Sequence, residues 1–508
     1  MTSQRRLGAL VGVVSAAAGL AASELVSGYL HQRVSPVVAV AESIIRLTPG
    51  AIIEKVISVV GRNDKPLVIG ATLLGLLVVS AIVGIVAMRA LAVAEAVFVA
   101  MGIVLVLAVH ARLTSSETTY VPAVVGVVVA LVALATLTPR AVRTRSQPAG
   151  AETDQDSRRD FLRLTAGVAG GVVLAGVAGR VLAHGRAALD AARTKLQLPA
   201  SRPVAPAGAE IGVKGIAAWN TSQDDFYRID TALFVPHIEP GTWRLRIHGM
   251  VGRELTIDLP TLLRRPMVER DITLACVSNP VGGSLVGNAR WLGVPLAPLL
   301  AEVGISPDAD QLVSRDSGGT SIGTPIATVT DGRDALLAVG MNGEPLPFEH
   351  GFPVRMVVPG LYGYVSACKW ITDIEVTRFD AYDAYWVRRG WAPRGPVKVS
   401  SRIDTPRDGH RRPAGPGVVA GVAWAQHTGI ARVEVRVDDG PWAQADLAPA
   451  ATADTWRLWT WPWNAPAGEH ALTVRAVTTA GQVQTADRAD TVPDGATGLH
   501  TVRVAVTG

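Results

Sequence analysis

Leu336-Leu337-Ala338-Val339-Gly340-Met341-Asn342-Gly343-Glu344-Pro345-Leu346-Pro347, leading into His350-Gly351-Phe352-Pro353-Val354-Arg355-Met356-Val357-Val358-Pro359-Gly360, is the most informative part of this chain. Tyr362-Gly363-Tyr364 and Lys369-Trp370-Ile371 close it. Upstream, Asp271-Ile272-Thr273-Leu274-Ala275-Cys276-Val277-Ser278-Asn279 is a short β-like run that ends at a cysteine. A Gly-rich loop at 281–288 then leads into Ala289-Arg290-Trp291-Leu292. Cys276 and Cys368 are the two cysteines of the 508 residues. One disulfide, or two buried thiols acting as small hydrophobes, are the bland readings. The functional reading makes one of them a thiolate ligand to a soft transition metal. No CxxC, HExxH or CxxCH spacing occurs, so zinc ribbons, zincin sites and c-type haem are not indicated. A GxGxxG after a strand is also lacking, which leaves a dinucleotide site without support.

Together these segments resemble the sulfite oxidase family of molybdopterin enzymes, from about Ile211 to the C-terminus. The resemblance implies a molybdenum-molybdopterin cofactor whose metal takes one thiolate from the protein. Cys276 matches that cysteine, as metal ligand and catalytic residue, and Asn279 matches the asparagine that follows it. The same resemblance implies that His350, Arg355 and Lys369 bind the pterin phosphate, with Gly360 in the cofactor-binding set. Cationic donors and backbone N–H groups near Gly351 and Gly360 suit a buried phosphate. The alternative for Arg355 or Lys369 is a solvated surface charge. Asp225-Phe226-Tyr227-Arg228 is similar to the family's aromatic-aromatic-basic opening, with Gln223 where an asparagine is common, and adds Arg228 to the cofactor-binding set.

Three further positions depart from the family. Its two arginines after the asparagine are Pro280 and Val281 here, and the nearest arginine is Arg290, the candidate for holding a substrate oxygen. The family's active-site tyrosine has no counterpart in Ser317-Gly318-Gly319-Thr320-Ser321-Ile322-Gly323-Thr324-Pro325. Tyr227 is the candidate to supply that phenol; a core tyrosine with a satisfied hydroxyl is the alternative.

Before residue 138 the chain has a different character. Hydrophobic residues make up 49% of the whole with only 5% aromatic, and the excess lies in this region. Runs at 7–30, 66–88, 91–111 and 121–137, and a fifth at 164–183, are long enough to cross a bilayer, for which about 20 apolar residues suffice. Arg5 and Arg6, Arg89, and the cluster from Arg140 to Arg163 share one side if the spans alternate. The positive-inside rule then puts the N-terminus in the cytoplasm and everything after residue 183 outside, as a multi-pass cell-membrane protein. The basic 33–65 connection runs against this, and 37–60 reads as an amphipathic interfacial helix. Ser157-Arg158-Arg159-Asp160-Phe161-Leu162-Arg163 before the fifth run reads as an internal twin-arginine export signal. His31 and His110 near outer helix ends could pair on a b-type haem, although histidines at helix ends are commonplace. Glu24 and Glu95 lie within apolar runs, where carboxylates are costly.

Residues 147–159 and 198–208 read as linkers. The last stretch carries alternating runs at Ala431–Val437, Ala471–Val477 and Thr501–Val506, an Asp438-Asp439-Gly440 turn, and Trp442, Trp456, Trp459, Trp461 and Trp463. This reads as an all-β sandwich whose tryptophans pack its strands, similar to the family's immunoglobulin-like C-terminal domain, which implies a homodimer. The expected fold class is α+β. A four-span membrane region covers 1–145, and linker, export signal, fifth span and outer linker cover 146–209. A mixed α/β molybdopterin-binding catalytic domain follows at 210–392 and the sandwich at 393–508.

A formal net charge of +5 is small for this length and no basic patch interleaves with aromatics, so nucleic acid is not an expected partner. The expected function is membrane-anchored oxygen-atom transfer on a small sulfur-oxo substrate. Electrons pass to a separate cytochrome or quinone-linked carrier. An S-oxide or N-oxide reductase, or a non-catalytic module presented by the membrane bundle, are the alternatives.

Overall fold

The computed structural model describes residues 3–29, 40, 64–110, 120–146, 159, 163, 165–171, 186–199, 206–232 and 235–508. They fall into two compact units, Met1–Asp190 with Ala232–Phe234, and Ala191–Thr231 with Val235–Gly508.

The first unit carries helices α1 (Ser3–Tyr29), α2 (Asp64–Ala87), α3 (Leu91–His110) and α4 (Val121–Ser146). Each contains a stretch long and apolar enough to cross a membrane: Arg5–Ser27, Gly70–Ala87, Leu91–Ala108 and Val121–Val142. Glycine lets α1 sit close to its neighbours. A β-carbon on Gly12 would overlap the Ser80 carbonyl of α2, and one on Gly19 the Gly126 carbonyl of α4. Close backbone approach of this kind is what holds apolar helices together where no hydrophobic force acts between them. Val11, Val83, Phe98, Leu134 and Leu137 fill the interior, while Val78 and Ile82, and Val124, Val128 and Val132, stand exposed at helical spacing. The fourth helix is longer than the expected span. It continues through Pro139 to Ser146, so Arg140, Arg143 and Arg145 belong to the helix rather than to a connection. Proline removes only one N–H and such helices tolerate it. Of the expected fifth span, 165–171 is helical and the rest lies outside the described residues, as do His31, Arg158 and all of 37–60 but residue 40.

In the second unit β1 (Arg244–Gly249), β2 (Leu255–Asp258), β5 (Gln311–Asp316), β6 (Ser321–Pro325) and β10 (Ile371–Thr377) form one sheet, ordered β2-β1-β10-β5-β6. A second sheet runs β3-β4-β7-β8, from β3 (Val268–Ala275), β4 (Val286–Pro295), β7 (Leu336–Met341) and β8 (Glu344–Pro345), with β9 (Arg355–Val357) also on β7. β7 is buried along its whole length, as a continuous apolar run in a sheet covered on both faces should be. Its Met341-Asn342-Gly343-Glu344 segment turns tightly into β8 with φ of 53° at Asn342 and 84° at Gly343. Asn-Gly is the pair that accepts two successive positive φ angles.

The C-terminal strands form two further sheets. One is ordered β11-β13-β17-β16, from β11 (Ser400–Thr405), β13 (Gly415–Trp424), β16 (Asp446–Leu447) and β17 (Arg457–Ala465). The other is ordered β12-β19-β18-β14-β15, from β12 (His410–Pro413), β14 (Ile430–Val437), β15 (Ala443–Gln444), β18 (Gly468–Thr478) and β19 (His500–Thr507). Val419, Trp459 and Trp463 of the first share a core with Val433, Leu472, Val474, Val502 and Val504 of the second. Burial alternates along β19, as one-faced strands require. A separate cluster joins the sandwich to the rest of the unit, with Trp424, Trp456 and Leu458 against Trp219, Ala275 and Val277.

Candidate active site

Cys276 follows directly on β3, at the mouth of a loop that closes on itself. Its N–H donates to the Leu285 carbonyl (2.9 Å), and its own carbonyl accepts from Asn279 N–H (3.1 Å). The Asn279 Oδ1 accepts the Leu285 N–H at 2.8 Å. Asn279 thus shapes the loop and lines a small cavity with Ser400, Ser401 and Gln484, and it is not among the residues lining the thiol's cleft. The thiol is free and buried. Burial pushes it above the ordinary range, opposed by hydrogen bonding to Ser278 and the charge of Lys369. Cys368 is free and buried as well, so the disulfide reading is set aside. Both cysteines line one cleft of about 120 Å³, with Tyr227, Asp230, Arg355 and Lys369.

The cations gather around it. Arg355, on β9, is 3% exposed. Its guanidinium donates to the His350 carbonyl at 3.2 Å and lies 4.8 Å from the Trp291 ring centroid. Burial pulls it down to about 10. Among the described residues no carboxylate pairs with it, an arrangement that is unfavourable unless an anion completes it. Lys369 donates to the Glu349 carbonyl (3.1 Å) and to Asp230 (3.4 Å). Burial first, then the neighbouring Arg355 and Arg228, overcome Asp230 and bring its ammonium down to about 8. Asp230 also accepts from Arg228 Nε at 3.0 Å, and its side chain is only 5% exposed.

His350 has a different part. Its Nε2–H donates to the Gln223 carbonyl at 2.9 Å, and burial, with Lys369, lowers it to about 4. The neutral ring therefore presents Nδ1 as an acceptor, and that atom is buried without a partner. It suits an N–H or O–H of a bound cofactor better than a phosphate. Tyr227 lines the cleft. Burial and the proximity of Cys276 push its phenol well above the usual range, so it stays a donor.

Asn279, Arg228 and His350 are not among the residues lining the cleft, and two further expected residues stand elsewhere. Arg290 is paired across the β3–β4 ladder with Asp271 (3.0 and 3.2 Å) and is not among the residues lining the cleft. Gly360, at φ 78°, packs against Arg333 and His427 rather than against the cleft. Asp230, Asp316, Trp386 and Trp391 line the cleft without having been singled out by sequence. Asp230 was readable as a carboxylate two positions from Arg228, with which it pairs.

A molybdenum-pterin group fits these residues. One buried thiol stands beside Arg355, which no carboxylate pairs among the described residues, and Lys369, which shares Asp230 with Arg228; an unpartnered acceptor lies on His350. No set of three or more His, Cys, Asp or Glu converges among the described residues, so a metal at Cys276 would draw its other ligands from a bound organic group.

Comparison with known proteins bears on this site. Residues 232–386 match the oxidoreductase molybdopterin binding domain. The chain is 31% identical over 287 residues to mitochondrial sulfite oxidase of Homo sapiens, covering 47% of this chain and 52% of that protein. It thus spans about half the length of that relative. With sulfite oxidase of Gallus gallus it shares 30% identity over 328 residues, 55% of this chain and 71% of that one. With the uncharacterized oxidoreductase YuiH of Bacillus subtilis it shares 32% over 162 residues, 32% and 78% of the two chains. Among solved structures it is similar to the sulfane dehydrogenase SoxCD from Paracoccus pantotrophus, with a TM-score of 0.50 and 25% identity over 57% of this chain and 82% of that one.

Proposed function

Because the chain belongs to the sulfite oxidase family of molybdopterin-dependent oxidoreductases, we propose that it is a membrane-anchored enzyme moving an oxygen atom on a sulfur-centred substrate. The free Cys276 thiol in the same cleft wall as Arg355 and Lys369 carries this reading. Bound there, the cofactor would supply oxygen-atom and two-electron chemistry at its metal. The chain's part is to ligate through the Cys276 thiolate and to hold the phosphate with Arg355 and Lys369. Tyr227 keeps its proton and offers a hydrogen bond inside the cleft, and Trp386 and Trp391 exclude water from it. Relatives named for sulfite and for sulfane both point to sulfur. Electrons leave to a separate cytochrome or quinone-linked carrier.

The finer architecture belongs to the same proposal. Four apolar helices anchor the chain, the N-terminus lies in the cytoplasm, and the twin-arginine segment delivers the catalytic domain at 210–392 to the outer face. The sandwich at 393–508 is immunoglobulin-like and pairs two copies. Molybdenum and pterin assays on the purified full chain test the core of this: about one of each per chain is expected, and stoichiometric zinc or no metal would refute it.

A second reading is favoured by one observation. Arg290 is held by Asp271, and Pro280 and Val281 stand where the family has arginines. Ile229, Ile322, Trp386 and Trp391 make much of the remaining cleft wall apolar, which suits a neutral S-oxide or N-oxide better than the sulfite anion. Sulfite turnover with a one-electron acceptor, set against sulfoxide reduction with a reduced viologen, separates the two.

A further inference from the structure

β3 is the edge strand of its sheet, with β4 on one side. An edge strand has outward backbone groups that need partners, and here the C-terminal sandwich provides them. Thr273, three residues before the cysteine, is 1% exposed. Its N–H donates to the Asp454 carbonyl (2.9 Å), and its carbonyl accepts from Gln426 Nε2 (3.0 Å). Its hydroxyl accepts from Trp456 N–H (2.8 Å) while donating to Asn288 (2.9 Å). Asp454, Gln426 and Trp456 all come from the sandwich part of the chain.

The loop beyond the cysteine is gripped from the same side. Arg402 of β11 donates to the Gly283 carbonyl at 2.8 Å, its own guanidinium fixed by Asp404 at 2.5 Å. Asp404 in turn accepts the Ala217 N–H at 2.9 Å. Gly282, at φ 77°, lies so close to His500 of β19 that a β-carbon there would overlap the imidazole. The His500 Nδ1 accepts the Ile403 N–H at 3.0 Å, which ties that ring to β11.

We propose that the C-terminal sandwich is a positioning element of the active site: it clamps the Cys276 loop on both sides, with Arg402 and Thr273 as positioning residues. Its role then goes beyond pairing two copies. The proposal rests on Cys276 being the cofactor's ligand, because the thiol's direction is what the clamp fixes. A thiol at the end of an edge strand held by β4 on one side alone would wander by more than a metal site tolerates.

The test compares the full chain, in detergent, as wild type, Arg402→Gln, Arg402→Lys, Thr273→Val and the exposed-site control Arg411→Ala. Hydrogen exchange is read by mass spectrometry over 274–285 and over β18–β19, together with the pterin-to-chain ratio. Arg402→Gln and Thr273→Val are expected to speed exchange over 274–285 about tenfold, the effect of losing one buried charged or satisfied hydrogen bond. Exchange in β18–β19 should stay at wild-type rates, the pterin ratio should fall, and Arg402→Lys should recover part of the loss. Unchanged exchange over 274–285 in both variants would overturn the proposal, and so would equal acceleration everywhere. Should Arg402→Gln fail to fold, Thr273→Val and Arg402→Lys decide alone. A wild type without pterin would refute the cofactor reading, and the exchange rates would still judge the clamp.

Discussion

Replacing Asp230 by Asn removes the carboxylate that both Arg228 and Lys369 contact. A hydrogen bond to a charged group contributes about 1.5–3 kcal/mol, which at about 1.36 kcal/mol per pH unit is a shift of about one to two units. The Lys369 ammonium already sits at about 8, lowered chiefly by burial. In Asp230→Asn it should therefore titrate about one to two units lower, near or below neutrality. The assay is amine acylation by a small neutral reagent across a pH series, on full-length chain produced without molybdopterin, with the Lys369 peptide read by mass spectrometry. Wild type should show a midpoint near 8 and Asp230→Asn a lower one; Asp230→Glu should lie close to wild type. Loading the cofactor should raise the wild-type midpoint, because a phosphate favours the charged amine. A midpoint in the ordinary lysine range for both proteins, or one untouched by Asp230→Asn, would refute the electrostatics described here.

Further outcomes follow from the same geometry. Lys369 has a folded-state value below its ordinary 10.5, so between about pH 8 and 10 the unfolded chain binds more protons. Cofactor-free protein should then gain stability as pH rises through that window, by up to about 1.4 kcal/mol per unit, measured by denaturant midpoints. Tyr227→Phe should leave stability within about 0.5 kcal/mol but lower kcat about a hundredfold, whereas equal kcat would return Tyr227 to a packing role. Arg158→Lys with Arg159→Lys should leave the four helices inserted and shield the catalytic domain from protease added to intact spheroplasts. Equal digestion of wild type and variant would reduce the pair to a topological charge cluster.

The apolar helices and the sandwich strands were legible because each rests on a local pattern. Uninterrupted apolar runs fixed α1 to α3, and alternation located β14, β18 and β19 to within a few residues. The end of α4 was not, since Pro139 looks like a stop and is not one in an apolar helix. Cys276, Arg355 and Lys369 could be named because they stand in a dense motif string, and the fold brings them to one cleft. Arg290 and Asn279 failed to reach it for a reason that sequence hides. Which side of a strand or loop faces the cleft depends on pairings that spacing alone does not reveal: Asp271 across the ladder for Arg290, and the Leu285 N–H across the loop for Asn279. His350 was found but its chemistry was not, because the Gln223 carbonyl fixes its tautomer and burial keeps it neutral. The clamp on β3 was invisible for the same reason, as Thr273 and Trp456 meet across 183 positions.

On the function proposed above, Cys276 joins this chain to a molybdenum-pterin centre. X-ray absorption at the molybdenum edge on purified full-length wild type and Cys276→Ser measures it most directly, by counting sulfur around the metal. One sulfur fewer is expected in Cys276→Ser for whatever molybdenum the variant retains, or complete loss of the metal. An identical sulfur count with full molybdenum occupancy in both proteins would contradict it.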